Sequence, residues 1–213
     1  MKHVLNKLFQ QVFVITTGLP NERYTHFYNY LRDQNINFDI RVAVDKNFFE
    51  TRYDGTHEIN RSEQSLSSQY ASIFYECYYT NVDSFVVIED DNVFCQDFED
   101  QFNIFFNNVP SDWDVLHLGD YLLDQNIKKE KINDYVDKIY IKYTTNCMIF
   151  RNKENFIKIA ECAIRSKYQI DFVLNSLYNN KEINCYAPNR SLTNQLSYRV
   201  GVDSENKFKS LIR

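Results

Sequence analysis

The feature that most constrains this sequence is an apolar run that ends directly in three carboxylates. Residues 85–88 are Phe-Val-Val-Ile, and residues 89–91 are Glu-Asp-Asp. A short, continuous apolar run of this kind predicts a strand that is buried on both faces, as in the middle of a parallel sheet. Because open parallel sheets bind ligands in the crevice beyond the carboxyl ends of their strands, we expect the three acids in a binding crevice.

The spacing of these acids indicates a metal site. Side chains alternate along a strand, so we expect Glu89 and Asp91 on one side and Asp90 on the other. Two carboxylates arranged in this way suit Mn²⁺ or Mg²⁺, ions that in enzymes also bind substrate phosphates. The motif therefore predicts a nucleotide-dependent enzyme in which Asp90 is the acid most tolerant of substitution. The alternative is that the acids form only a solvated turn or cap the following helix.

Length and charge narrow the class of protein. The 213 residues predict one α/β domain with a substantial core. The formal net charge of -5 argues against a nucleic-acid partner. We find no apolar run long enough for a membrane span and no signal-peptide core near the N-terminus. Five scattered cysteines fit reduced thiols, so we expect a cytoplasmic protein, in the host cytoplasm if the source is a virus.

The N-terminal part of the chain predicts a strand, a helix and a second strand, which is the usual opening of a nucleotide-binding sheet. The apolar run at 12–16 is the first strand, and the alternating residues at 38–42 are the second. Thr16 and Thr17 end the first strand, and Asp45 follows the second. We therefore expect these three side chains to face the crevice.

The helix between these strands is predicted to begin after Asn21, a residue type that commonly caps helices. Arg23 lies in its first turn, where the guanidinium can reach a diphosphate. The alternative is that Arg23 pairs with a nearby acid such as Glu22 or Asp39.

A further helix is predicted to lead into the acidic strand. Residues 46–61 are polar and predict a loop, and Ser62 is expected to cap the helix that follows. We place Ser68 near the start of this helix, where backbone N–H groups favour anions. Ser68 is therefore a candidate contact for an anionic ligand.

The second half of the chain predicts fewer site residues. Residues 113–118 form a strand containing His117, which we interpret as a hydrogen-bonded core residue. The strands at 136–143 and 147–150 are predicted to form a hairpin, and residues 122–134 a loop. Asp171 stands directly before an apolar helix, so it is either the N-cap of that helix or a carboxylate of the site.

The order of these segments resembles the GT-A glycosyltransferases, most closely glycosyltransferase family 25 of the lipopolysaccharide and collagen sugar-transfer enzymes. The resemblance runs from residue 13 to about residue 195. Its most specific parts are the sequence IEDD at 88–91 and the sequence DVLHLG at 114–119.

The resemblance implies a fold and an activity. The fold is the GT-A fold, an α/β architecture with a mostly parallel central sheet, flanking helices and a small antiparallel element in the second half. Residues 1–213 would form one domain, with a nucleotide-binding half (1–110) and an acceptor-side half (111–213). The activity is metal-dependent transfer of a sugar from a UDP-sugar, with UDP-glucose and UDP-galactose as first candidates, to a glycan or glycoprotein acceptor with inversion.

The resemblance also implies roles for the candidate residues. Asp91 would bind Mn²⁺ or Mg²⁺, and Glu89 would assist the metal or contact the ribose or donor sugar. The general base for the acceptor hydroxyl would be Asp171, with Asp120 as the reserve. The remaining donor-binding residues would be Thr16, Thr17, Arg23, Asp45, Ser68 and Asp90.

Two other functions remain open at this stage. A nucleotidyltransferase that acts on a sugar phosphate also uses paired carboxylates and a metal, but it usually carries a glycine-rich, basic phosphate loop after the first strand, and only Gly18 stands there. A non-catalytic sugar-nucleotide-binding module is the third candidate. Mn²⁺-dependent hydrolysis of a UDP-sugar would separate the transferase from the binding module.

Overall fold

A computed structural model describes residues 2–16, 22–53, 58–59, 61–119, 127–166 and 169–195 of the chain. The predictions for Thr17, Asn21 and Asp120 lie outside these residues, as does the side chain of Arg23. Among the described residues, no helix combines the length and the apolar composition that crossing a membrane requires.

Helices and strands alternate along most of the chain. The helices are α1 (Val4–Leu8), α2 (Glu22–Asp33), α3 (Arg61–Tyr79), α4 (Phe98–Asn108), α5 (Lys153–Arg165) and α6 (Ile170–Asn179), with a short 3₁₀ helix at Lys46–Phe48. The strands are β1 (Gln11–Thr16), β2 (Asp39–Val42), β3 (Arg52–Tyr53), β4 (Glu58–Ile59), β5 (Ser84–Glu89), β6 (Asn92–Phe94), β7 (Val115–His117), β8 (Lys128–Lys131), β9 (Val136–Ile141), β10 (Cys147–Arg151), β11 (Cys185–Pro188) and β12 (Thr193–Gln195).

A central sheet organises the described part of the chain. Its eight strands lie in the order β2-β1-β5-β10-β7-β11-β9-β8. Two strands, β10 and β9, run against the others, so six of the eight point in one direction. The carboxyl ends of β1, β2 and β5 therefore meet at one edge of the sheet, which we call the carboxyl edge. Two separate antiparallel pairs join β6 with β12 and β3 with β4. Strand β6 follows β5 in the chain.

The middle of the central sheet is buried on both faces. Phe85 and Val87 of β5 pack in the cluster that α3, α5 and α6 cover. Val86 and Ile88 point the other way, into the cluster that α1, α2 and α4 cover. All four side chains have 0% of their surface exposed, and burial of such a side chain contributes about 1.5–3 kcal/mol. The prediction that residues 85–88 form a doubly buried strand is therefore confirmed.

Three local predictions are wrong. The strands β9 and β10 do not form a hairpin, because β9 pairs with β11 and β8, whereas β10 lies between β5 and β7. The predicted loop at 122–134 contains β8, a fully exposed edge strand of sequence KKEK. Helix α3 begins at Arg61, so Ser62 is already inside it.

Candidate active site

The three acids stand where β5 ends. Glu89 is the last residue of the strand, Asp90 and Asp91 form a tight turn, and Asn92 begins β6. The strand alternation therefore stops at Glu89, so it does not support the predicted placement of Glu89 and Asp91 on one side. Asp90 and Asp91 are only 3% and 6% exposed, whereas Glu89 is partly exposed. We call residues 89–91 the acidic turn.

Asp90 is tied to the neighbouring strand. Its Oδ2 accepts a hydrogen bond of 2.7 Å from Thr16 Oγ1, and its backbone N–H donates to Ile15 O at 3.1 Å. Thr16 is 0% exposed. A buried carboxylate that loses a donor is costly, so the expectation that Asp90 tolerates substitution is revised. The pair joins the ends of β1 and β5.

Glu89 is held from the other side. Its Oε1 accepts a hydrogen bond of 2.6 Å from Thr145 Oγ1, and its backbone N–H donates to Asn146 O at 2.9 Å. The Thr145 carbonyl in turn accepts from the hydroxyl of Tyr70 at 2.9 Å. Burial raises the pKa of Tyr70 well above 10, and the negative charges of Glu89 and Asp171 add to this shift. Tyr70 is therefore a neutral hydrogen-bond donor that orders the residue next to Glu89.

Residues 142–146 link β9 to β10 and bind the strand ends together; we call them the connector. Lys142 Nζ donates to Gly119 O, and the Nε2 of His117 donates to the carbonyl of Thr144. Asn146 Nδ2 donates to Asn92 Oδ1 at 3.1 Å. Lys142 and Asn146 are 2% and 1% exposed. The connector therefore fixes the acidic turn from the side opposite β1.

Sequence reasoning missed the role of the connector. It took residues 144–146, the polar sequence Thr-Thr-Asn, for the turn of a hairpin. The available signal was the polarity of a short segment between two strands with buried side chains. His117 is a hydrogen-bonded core residue, as predicted, since it is 1% exposed and burial lowers its pKa well below 6.5.

Asp171 is the second residue of α6. The N-cap is Gln169, so Asp171 is not the N-cap. Helix α6 ends at Asn179, and β11 begins soon afterwards at Cys185. Because β11 runs parallel to β7, its first residue lies toward the edge of the sheet opposite the carboxyl edge. The start of α6 therefore lies toward the carboxyl edge. Consistent with this position, the negative charge of Asp171 helps to raise the pKa of Tyr70, as the negative charge of Glu89 does.

The other predicted contacts are distributed more widely. Asp45 follows β2 at the carboxyl edge and caps the 3₁₀ helix, where its Oδ1 accepts from Asn47 N at 2.9 Å. Ser68 lies two turns into α3, so its predicted place beside free N–H groups at a helix start is wrong. A role for Ser68 in binding stays a prediction without that support.

The acidic turn offers carboxylate oxygens, which are the ligands that Mg²⁺ and Mn²⁺ prefer. Among the described residues, no three His, Cys, Asp or Glu side chains form a group that could hold a metal. Thr16 donates to Asp90 from β1, and Thr145 donates to Glu89 Oε1 from the connector. Glu89 and Asp91 are the hard oxygen donors that the sequence predicted for the ion. Mg²⁺ is commonly bound by one or two carboxylates together with substrate phosphates. These residues therefore fit an ion that arrives with a diphosphate.

Two clefts are present elsewhere on the described surface. One, of about 570 Å³, runs beside α6, and the other, of about 480 Å³, lies against α1 and the start of α4. Neither is lined by residues 89–91. The acidic turn is identified as the candidate site by its chemistry and by its place at the carboxyl edge of the sheet.

Comparison with known proteins shows the fold. No protein-family model and no curated protein sequence matches the chain. The inositol-1-phosphate CTP transferase from T. maritima superimposes with a TM-score of 0.50 at 11% identity, covering 96% of both chains. A glycosyltransferase involved in the glycosylation of the major capsid of PBCV-1 has a TM-score of 0.49 at 9% identity, covering 94% of this chain and 98% of that one.

At such low identity these likenesses carry no activity to this chain. The superposition on the CTP transferase, together with the strand order, confirms the predicted fold class. The chain has an α/β fold of the GT-A and nucleotidyltransferase type, with a mostly parallel central sheet and a small antiparallel sheet. Membership of glycosyltransferase family 25 stays a prediction.

Proposed function

We propose that this protein is a metal-dependent glycosyltransferase of family 25 type, which moves a sugar from a UDP-sugar to a glycan or glycoprotein acceptor. The observation that carries the proposal is the acidic turn. Three carboxylates stand at the carboxyl end of a central strand, and Asp90 and Glu89 are each fixed by a hydroxyl from a different element. Carboxylates held at this edge of an α/β sheet suit a ligand that binds through a divalent cation.

Glu89 and Asp91 would hold Mn²⁺ or Mg²⁺ together with the donor diphosphate. The ion, when bound, would neutralise the negative charge that develops on the departing UDP. Arg23 would add a charge-assisted contact to the same phosphates. The uridine would lie between the ends of β1 and β2, against Thr17 and Asp45. Thr16 donates to Asp90 and would act mainly by holding the turn.

The transfer itself would be a single inverting displacement. The oxygen of the acceptor hydroxyl attacks the anomeric carbon, and the bond from that carbon to the UDP oxygen breaks with its electron pair staying on UDP. The proton of the hydroxyl passes to the carboxylate of Asp171, which lies toward the same edge of the sheet as Glu89. Asp120 is the second candidate for this base.

A nucleotidyltransferase acting on a sugar phosphate is the second candidate function, because the CTP transferase from T. maritima shares the fold. Such enzymes usually bind the nucleoside triphosphate with a glycine-rich, basic loop after the first strand. Residues 17–21, Thr-Gly-Leu-Pro-Asn, contain one glycine and no basic residue. The sequence of this loop therefore favours the glycosyltransferase. The products separate the two, since one releases UDP and the other pyrophosphate.

The proposal is tested by UDP binding and by UDP-sugar turnover. By calorimetry, UDP should bind more tightly with Mn²⁺ than with EDTA, and Asp91→Asn should remove most of that difference. Asp100→Asn is the matched control, because Asp100 is exposed on α4. Uridine nucleotides should be preferred over adenosine nucleotides. Equal UDP affinity with Mn²⁺ and with EDTA would rule out the metal role.

A further inference from the structure

The cleft of about 570 Å³ beside α6 is lined by aromatic and aliphatic side chains and by a few polar ones. It is bounded by the end of β9, the connector, the end of α5 and α6. Tyr143 and Phe172 form a ring pair in its wall, with centroids 5.2 Å apart at an interplanar angle of 57°. Aromatic walls with a few polar groups are typical of small-ligand sites. They suit a ligand with an apolar face and several hydroxyl groups.

The polar groups of the cleft favour a neutral or anionic ligand. Arg165 is the one charged side chain among the described residues that line it. Asn175 is 7% exposed, and its Oδ1 accepts from Lys142 N at 2.7 Å. Within the described part of the chain, its Nδ2 has no hydrogen-bond acceptor. A buried N–H without an acceptor costs about 1–3 kcal/mol. Because this Nδ2 has less than 1 Å² of exposed surface, a ligand hydroxyl would accept from it only after the Asn175 side chain turns toward the cleft.

Two residues of the cleft wall are close in the chain to residues of the candidate active site. Tyr143 stands two residues before Thr145, which donates to Glu89. Phe172 directly follows Asp171 and donates its backbone N–H to the Asp171 carboxylate at 3.0 Å. These chain connections place the ring pair beside Asp171 and beside the segment that holds Glu89.

We propose that this cleft is the acceptor subsite and that it binds a neutral or anionic glycan, with a sugar ring against Tyr143 and Phe172. This assignment rests on the proposed glycosyltransferase function. Under this assignment the acceptor is a carbohydrate chain. The part of the acceptor that lies in the cleft is a sugar and not an unglycosylated peptide.

Cys162 provides a direct readout of occupancy, because it lines the cleft and is partly exposed. Cys77, Cys147 and Cys185 are buried. Burial raises the pKa of Cys77 and Cys185 to about 12. In a Cys95→Ser background, maleimide should therefore modify Cys162 first. Lactose, maltose, cellobiose and N-acetyllactosamine are the probes, and at saturation at least one should slow the reaction by roughly fivefold or more.

Variants of the ring pair give the second arm. With the disaccharide that protects Cys162 as acceptor, Phe172→Ala should raise the acceptor KM by roughly tenfold while UDP affinity is retained. The control is Tyr79→Ala, which removes an exposed helical aromatic residue at the far end of α3 and should match the wild type.

The outcomes separate this proposal from the proposed function. Protection of Cys162 by a sugar in a protein that neither binds UDP nor turns over UDP-sugar would keep the carbohydrate site and reject the transferase. UDP-sugar turnover with no protection by any of the four sugars would overturn the assignment of this cleft. Protection by an alkyl alcohol and by none of the sugars would overturn it as well.

Discussion

The Oδ1 atom of Asn146 lies 1.8 Å from the position that a Cβ atom on Gly119 would occupy. Any side chain at residue 119 would collide with this amide. The Nδ2 of the same amide donates to Asn92 Oδ1 at 3.1 Å, and Asn92 directly follows Asp91. The missing side chain at Gly119 therefore gives Asn146 the space from which it reaches the acidic turn.

Gly119→Ala should consequently destabilise the protein by about 1–3 kcal/mol, the usual cost of overpacking. Urea unfolding measures this cost. Asn146→Ala removes the colliding amide, so the double variant should be less destabilised than the two single changes predict by addition. Additive costs would show that the clash with Asn146 is not the reason for the glycine.

The Thr16–Asp90 hydrogen bond gives a second prediction. Thr16→Val keeps the shape of the side chain but removes the donor, which leaves a buried carboxylate short of one hydrogen bond. We expect a loss of about 1–3 kcal/mol in the free energy of unfolding. Thr16→Ser keeps the hydroxyl and should cost less. If Ser proves more costly than Val, packing of the methyl group and not the hydrogen bond governs this position.

His117 predicts a pH dependence of stability. Burial, with a smaller contribution from the charge of Lys142, lowers its pKa well below 6.5 in the folded protein. The unfolded chain therefore binds a proton that the folded protein does not bind as the pH falls below 6.5. The contribution of His117 to the unfolding free energy should therefore be fully present above pH 6.5. Below pH 6.5 it should fall by up to about 1.4 kcal/mol per pH unit.

His117→Gln keeps a donor for the Thr144 carbonyl but does not titrate in this range. Between pH 6.5 and about 5, its unfolding free energy should depend less on pH than that of the wild type. Some slope should persist, because burial also lowers the pKa of His3. Unchanged slopes in urea unfolding across this window would exclude His117 as the source.

The sequence identified the parts of the fold that local pattern determines. The apolar runs that became β1 and β5 specify doubly buried strands, and the acids after β5 stand at the carboxyl edge as predicted. Partner choice among strands is not local. The polar segment of five residues between β9 and β10 is compatible with a hairpin and also with a connection between strands that do not pair. The packing of β10 between β5 and β7 determines which of the two forms.

The candidate site shows the same limit. The alternation of side chains could not be extended beyond Glu89 because the strand ends there. No residue type at this position indicates the end of the strand. Strand β8 could not be predicted either, because its sequence KKEK has no apolar residues. Backbone hydrogen bonds to β9 hold it at the edge of the sheet. Its lysines also discourage pairing with another chain.

Helix endings offer a stability prediction that is independent of function. Asn35 follows α2 and Asn81 follows α3, and both have a positive φ. In each case the N–H of the next residue donates to the carbonyl of the residue five positions before it. Lys181 takes the same conformation after α6, with φ of 59°. Lys181→Asn or Lys181→Gly should raise the unfolding free energy by up to about 1 kcal/mol. Lys181→Ala should bring no such gain, and an equal gain with Ala would contradict the backbone explanation.

Asp171 is the proposed general base of the transfer reaction. It sits second in α6, and its alternative role is to interact favourably with the positive end of the helix dipole. Asp171→Asn removes that charge at a cost of about 0.3–1 kcal/mol. The variant should keep its UDP affinity and most of its stability, because Asp171 is not part of the acidic turn. It should lose transfer by roughly a hundredfold or more, since an amide cannot accept the acceptor proton.

Glu154→Gln is the matched control for this variant. Glu154 is the second residue of α5, so its loss changes a helix dipole in the same way without touching the site. It should share the small change in melting temperature and keep wild-type transfer, measured as UDP release at saturating donor and acceptor. Wild-type turnover in Asp171→Asn would leave Asp171 with a helix role alone, and the proton acceptor would then be sought at Asp120.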